Sequence, residues 1–190
     1  MTENPLGVKH LLGTDETGGP LEPWLVRGAI TVIEKHLASI AAENVDGWPQ
    51  VFEYGCGSST PWLIDRAVHV RSVEQNPAWA AKVSWYLDST GRPYSITVAP
   101  LPDDLRGYVN AGRWCVGCSQ DLLLVDGRKR VKCILAAHEI VKPGGLLVLD
   151  NTERDYYLPA MDLLSGLGWE RQDFENSLWR TTIWRRPTNG

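Results

Sequence analysis

The sequence has no apolar run long enough to cross a bilayer. The longest, DLLLVD and GGLLVLD, are roughly a third of what a hydrocarbon core requires. It has no excess of basic charge either. Lysine and arginine number 19 against 23 aspartate and glutamate, a formal net charge of −4, so no global field draws the chain to nucleic acid or to anionic lipid. The first ten residues, MTENPLGVKH, are polar and carry no secretory hydrophobic region, which makes the cytoplasm the expected compartment. Cysteine is scarce, at four residues, and only Cys115 and Cys118 form a CxxC. No second CxxC or HxxxH pair completes a structural zinc site, so two small loop residues are expected there.

What is present is ordinary for one globular domain: 190 residues, 43% hydrophobic and 22% charged. Residues 1–20 are rich in Gly, Thr, Asp and Pro and read as a loose arm or a lid, with residues 21–190 forming a single domain. No repeat, low-complexity tract or linker divides that domain. Apolar residues at helical spacing predict a helix over 23–43. Strands and helices then alternate. VFEYG, HVRSVEQ, YSITVAPL, DLLLVD and LLVLDN read as five strands, and the first, fourth and fifth are nearly continuous apolar runs, as parallel strands buried on both faces require. STPWLIDRA, NPAWAAKVSWYLDS and VKCILAAHEIV read as the intervening helices. Asn76 caps the second of these with Pro77 at its first position, and Lys142-Pro143-Gly144-Gly145 stops the third. The stretch 102–120 is irregular, with a helical piece expected over 103–109. A helix near 156–167 and a hairpin joining WERQDFE to LWRTTIWRR across Asn176-Ser177 complete the chain.

The stretch VFEYGCGSST is half of a dinucleotide fingerprint: Gly55 and Gly57 are in place, but Thr60 stands where a third glycine belongs. That disfavours a pyrophosphate, and with it a nicotinamide dehydrogenase. The hydroxyls of Ser58, Ser59 and Thr60 at a helix start suit a carboxylate, and Glu53 is an acceptor for an ammonium group. Glu74 lies 19 positions after Gly55, where a carboxylate holds a ribose diol. An amino-acid end plus a ribose describes S-adenosylmethionine.

With EYGCGSST, SVEQNPAW, DLLLVDGRKR, VKPGGLLVLDN and TTIWRR, the chain resembles the class I S-adenosylmethionine-dependent methyltransferases over residues 51–186. The resemblance implies an α/β, Rossmann-like, mostly parallel seven-stranded sheet of order 3-2-1-4-5-7-6, with strand 7 antiparallel and helices on both faces. It implies that Glu53, Gly55 and Gly57 surround the methionine part, beside the Ser59 and Thr60 hydroxyls read above as carboxylate partners, and that Glu74 holds the ribose. Asp103 is a candidate near the adenine and Asp126 near the reacting end. Asp126, Asp150 and Asn151 end strands four and five on one rim, and three such oxygen ligands suit a hard cation such as Mg²⁺. This set resembles that of the catechol and caffeoyl-CoA O-methyltransferases, in which a lysine three places after the first aspartate acts as base. Lys129 stands three places after Asp126.

The expected function is therefore methylation of a small-molecule oxygen, with a divalent cation as an optional assistant. Nucleic-acid or protein methylation and a non-catalytic cofactor-binding module are the alternatives. Nucleic acid is disfavoured, because VDGRKR holds the place of the usual Asn/Asp-Pro-Pro-aromatic or Pro-Cys motif. No membrane partner is expected, and a homodimer is compatible with the sequence. Trp62, Trp79, Trp85 and Trp114 lie near the cleft, where one or two stack on a ligand. Tyr156 and Tyr157 stand at the same rim, while Cys133 and His138 read as packing residues.

Overall fold

The structure is a computed structural model and describes residues 22–43, 48–67, 69–101, 107–115 and 120–188. The 1–20 arm, Asp103 and Cys118 lie outside the described residues. Seven strands form one sheet: β1 (Gln50–Tyr54), β2 (His69–Glu74), β3 (Ser95–Val98), β4 (Gln120–Val125), β5 (Val141–Asp150), β6 (Glu170–Glu175) and β7 (Arg180–Arg185). Their order is β3-β2-β1-β4-β5-β7-β6, as expected. β1 to β5 pair in parallel, and β7 runs antiparallel to both β5 and β6. The helices are α1 (Arg27–Glu43), α2 (Ser59–Ile64), α3 (Pro77–Asp88), α4 (Arg130–Ala137) and α5 (Leu158–Gly166).

Successive strand residues face opposite sides of a sheet, and the core divides accordingly. Val51, Leu122, Leu124, Leu146 and Val148 pack with Ile30, Ile33 and Leu37 of α1, Leu63 of α2 and Val83 and Leu87 of α3. Phe52, Leu123, Val125, Leu147 and Leu149 pack on the other face with Cys133 and Ile134 of α4 and Met161 and Leu164 of α5. Cys133 is thus a core residue, as read from the sequence. Among the described residues no helix is long and apolar enough to cross a membrane.

Local chemistry explains most boundaries. Asn76 caps α3 by accepting from the backbone N–H groups of Ala78 and Trp79 at 3.0 and 3.2 Å, with Pro77 in the first turn. Asn176 shapes the last hairpin by accepting from the N–H groups of Leu178 and Trp179 at 2.8 and 2.9 Å. The 142–145 stretch departs from expectation. It lies inside β5 and does not stop a helix there; α4 ends earlier, at Ala137, and a 3-10 turn (His138–Ile140) follows. Pairing with the exit of β7 explains the difference: Gly144 N–H donates to the Arg186 carbonyl at 2.9 Å, and Arg186 N–H donates to that of Gly145 at 3.0 Å. The first helix begins at Arg27, four residues later than its apolar pattern suggested. The irregular segment contains a 3-10 helix over Ala111–Cys115.

β4 is buried along its whole length. Replacing Leu123, fully buried against both neighbouring strands, by alanine removes packing on all sides. A loss of about 2–5 kcal/mol is expected, read as a lower denaturant midpoint with an unchanged slope.

Candidate functional site

β1, β2, β4 and β5 end on one rim of the sheet, and the chain turns sharply after each. After β1 the backbone enters the left-handed region at Gly55 (φ +88°). A Cβ there would lie 2.6 Å from the Gly127 Cα, and one on Gly127 would lie 1.9 Å from the Tyr108 Oη. Glycine at both positions is therefore what lets the β1 and β4 exits touch. Gly55 N–H donates to the Val73 carbonyl at 2.8 Å and Asp126 N–H to that of Tyr54 at 3.1 Å, tying three strand ends together. Trp79 donates its indole N–H to the Cys56 carbonyl at 2.7 Å and clamps the turn from α3. Gly57 differs: a Cβ there would meet nothing within 4 Å, so the fold does not demand its glycine.

These turns enclose a cavity of about 550 Å³ lined by Gly55, Gly57, Ser59, Glu74, Trp79 and Asp126 among others. Glu74 is nearly buried, accepts from the Asn76 N–H at 2.8 Å, and has its pKa raised by burial. Glu53 and Thr60 sit behind this surface. Glu53 is fully buried, and its carboxylate takes hydroxyl donors from Ser59, from Thr60 at 2.8 Å and from Ser72 at 2.6 Å. Ser72 is the residue paired with Glu53 across β1 and β2. The hydroxyls of Ser59 and Thr60 thus point inward at Glu53, and Thr60 also accepts from the Gly57 N–H at 2.9 Å. Burial lifts Glu53 to about 7, against the pull of the three hydroxyls, with Asp126 adding to the rise.

A second cavity, of about 670 Å³, adjoins the first and shares Gln75, Gly127, Arg128 and Arg130 with it. Lys129 lines it from a left-handed backbone (φ 53°), a conformation that costs an ordinary residue on the order of 1 kcal/mol or more. Tyr156 and Tyr157 line it as well, with ring centroids 4.0 Å apart. Of the tryptophans, Trp79 and the exposed Trp24 face the first cavity. Trp62 is core, Trp85 is exposed on α3, and Trp114 lines a small separate pocket.

Asp126, Asp150 and Asn151 do converge, but a guanidinium stands among them. Arg130 donates to the Gly127 carbonyl at 3.0 Å, to the Asp150 carbonyl at 2.7 Å and to Asn151 Oδ1 at 3.3 Å. It also donates to the Asp126 carbonyl at 2.8 Å and forms an ion pair with the Asp126 carboxylate at 2.7 Å. The Asp150 carboxylate is nearly buried and accepts from the Thr181 hydroxyl at 2.6 Å. Burial pushes Asp150 up to about 6, with the Thr181 hydroxyl pulling it back and Asp126 adding to the rise. These oxygens are engaged by the arginine. Among the described residues no group of three His, Cys, Asp or Glu side chains is placed to hold a metal ion. At the expected metal centre the cation found is the Arg130 guanidinium, which is covalently part of the chain. Arg130 was not singled out from the sequence, although its place four residues after Asp126 at a helix start is the signal that could have found it.

Two outcomes test this geometry. Removing Arg130 strands a carboxylate and four further oxygens, so Arg130→Met is expected to lower stability by about 3–5 kcal/mol, read by denaturant unfolding. The melting temperature of the native chain is expected to be indifferent to millimolar Mg²⁺. Glu53 sets a pH dependence. Its folded pKa of about 7 exceeds its ordinary 4.5, so its contribution is complete below the ordinary value. That contribution is lost as pH rises through about 7, a difference on the order of 3 kcal/mol. Between about pH 5 and about pH 8 the native chain should lose more stability than Glu53→Gln does; parallel profiles would remove Glu53 from this role.

No protein-family model matches the sequence, and no curated protein sequence does. Solved structures do match. An rRNA methylase from Streptococcus thermophilus superposes with a TM-score of 0.62 at 12% identity, covering 83% of this chain and 96% of its own. A candidate caffeoyl-CoA O-methyltransferase from Staphylococcus aureus gives 0.61 at 16% identity, covering 86% and 85%. The N-methyltransferase NodS from Bradyrhizobium japonicum WM9, in complex with S-adenosyl-L-homocysteine, gives 0.55 at 12% identity, covering 95% and 97%. With this strand order, this antiparallel β7 and these neighbours, the chain has the class I S-adenosylmethionine-dependent methyltransferase fold.

Proposed function

We propose that the chain moves a methyl group from S-adenosylmethionine to an oxygen of a small molecule, without a metal. The observation that carries this reading is the junction of the two cavities. One is built from the turn after β1 and the carboxylate that ends β2; the other opens beside it, and four residues wall both. Two ligands held there meet end to end, which is what in-line displacement needs and what most of its catalysis consists of. A binding module needs only the first cavity.

Residues 55–59 face the methionine end on this reading, and the open space at Gly57 leaves room for it. Glu74 accepts from the ribose diol. Glu53 lies behind the turn, so it shapes the methionine site through Ser59 and Thr60. S-adenosylmethionine supplies an activated methyl on a positive sulfur. Lys129, in the second cavity, is the group proposed to take the proton from the acceptor hydroxyl as the oxygen–carbon bond forms. The Arg130 cation supplies fixed positive charge at the junction where the catechol-type enzymes place a metal.

Titration calorimetry with S-adenosylhomocysteine tests the cofactor site. Binding is expected for the native chain. Gly57→Ala, whose added methyl enters only the cavity, should keep the melting temperature and weaken binding by about tenfold or more. A flat titration, or full affinity in Gly57→Ala, would overturn the placement. With an acceptor in hand, Lys129→Ala should lower kcat far more than it changes KM.

A further inference from the structure

We infer that the methyl acceptor is a small, planar anion, carrying a carboxylate or a phosphate and bound in the second cavity. The inference rests on the methyl-transfer reading only for naming this ligand the acceptor; the anion site itself is argued from the cavity.

The walls of this cavity carry Arg128, Lys129, Arg130, Lys132 and Arg154, and no aspartate or glutamate among the described residues. Two of the five cations are matched locally: Arg130 by Asp126 at 2.7 Å, and Arg154 by Glu153 at 3.3 Å. Arg128, Lys129 and Lys132 make no salt bridge with any described residue; with Lys129 reserved for the proton transfer and Arg128 also interacting with the Glu74 carboxylate, Arg128 and Lys132 are the cations that face the space. Such a concentration is costly through mutual repulsion unless an anion relieves it. It occurs in a chain whose net charge is −4, so it is a local feature of this cavity and not an overflow of general basicity.

Lys129 is held in a left-handed backbone at the mouth of the cavity, and the strain of that conformation is offset by the Arg130 network that follows it. Two tyrosines line the same cavity. Tyr157 is buried, with the Arg130 guanidinium 5.9 Å from its ring centroid, and its hydroxyl accepts from that of Tyr156. The Tyr156 ring is 59% exposed, which leaves a flat surface for a second ring to stack on. A volume near 670 Å³ suits a ligand of drug-like size and is far too small for a folded RNA element. Cationic side chains and an exposed aromatic face lining one cavity therefore specify an anion on a planar body.

The test uses the full chain saturated with S-adenosylhomocysteine, and ligand-observed NMR with three probes. These are 4-hydroxybenzoate, 4-hydroxyphenyl phosphate and the neutral 4-hydroxybenzyl alcohol. At least one anion is expected to bind about tenfold or more tightly than the neutral alcohol, and the stronger of the two identifies the charged group. Lys132 lines only the second cavity, so Lys132→Glu should abolish that preference while leaving S-adenosylhomocysteine affinity unchanged. Equal binding of the neutral probe, or an anion preference that survives Lys132→Glu, overturns the inference. So does a single-stranded RNA oligonucleotide that outcompetes both anions at physiological salt, which would make nucleic acid the acceptor. A flat S-adenosylhomocysteine titration overturns the methyl-transfer reading instead, and the anion titration repeated on the ligand-free chain still decides the cavity.

Discussion

One cation organises the rim of this sheet. A guanidinium taken out of water costs several kcal/mol unless every N–H finds an oxygen, and Arg130 finds five, spread over the exits of β4 and β5. Two of the partners belong to Asp126, and two belong to Asp150 and Asn151. The arginine therefore ties together the two turns that leave the paired ends of β4 and β5. Lys129 and Asn151 are the two non-glycine residues with positive φ among the described residues, and they flank this network on either side. Their strain is affordable only because the guanidinium over-determines the turns that contain them. The same residue walls both cavities, so the relative placement of the two proposed ligands depends on it.

Burial sets the charge states behind that rim. Glu53 collects three hydroxyl donors and still sits near neutrality, because desolvation outweighs the hydrogen bonds. Asp150 is lifted in the same way with a single hydroxyl for company. A like charge on Asp126 contributes to both rises, and Asp126 in turn is matched by Arg130. The carboxylates of the three strand ends are thus coupled through one ion pair. Removing the arginine would change all of them, so the pair stabilises a pattern of protonation as well as a geometry.

The fold was legible because its signal is redundant. Continuous apolar runs marked β1, β4 and β5, Asn76-Pro77 marked a helix start, and the paired glycines marked the turn that the cavity is built on. Glu74 was legible by its distance from Gly55 alone, since strand, helix and strand between them have lengths set by geometry. The failures have a common cause, which is that a residue's partner lay far away in sequence. VKCILAAHEIV-KPGG reads as helix and stop, but the stretch is held by the exit of β7, some forty residues on. Ser59 and Thr60 read as offering hydroxyls to a ligand. Ser72, aligned with Glu53 by strand register, turns them inward by completing a carboxylate site. A basic run at a helix start reads as a solvated face, and nothing local says that its third member folds back onto the end of β5.

The guanidinium at the expected metal site changes the electrostatic logic of the proposed reaction. A divalent ion would bring two positive charges and open coordination positions, and would bind an acceptor through a pair of its oxygens. A guanidinium with all five donors engaged brings one charge and no open position, so it can orient nothing directly. Recognition then falls to Arg128 and Lys132, which make no salt bridge with any described residue. Arg128 and Arg130 wall both cavities, but of the two only the first carries carboxylates, Glu74 and Asp126. A positive sulfonium is favoured on the first side and a negative acceptor on the second. On the proposed reading the sulfonium's positive charge leaves as the proton passed to Lys129, the acceptor keeps its carboxylate or phosphate charge, and the cofactor product is a neutral thioether whose electrostatic hold on the acidic side is gone.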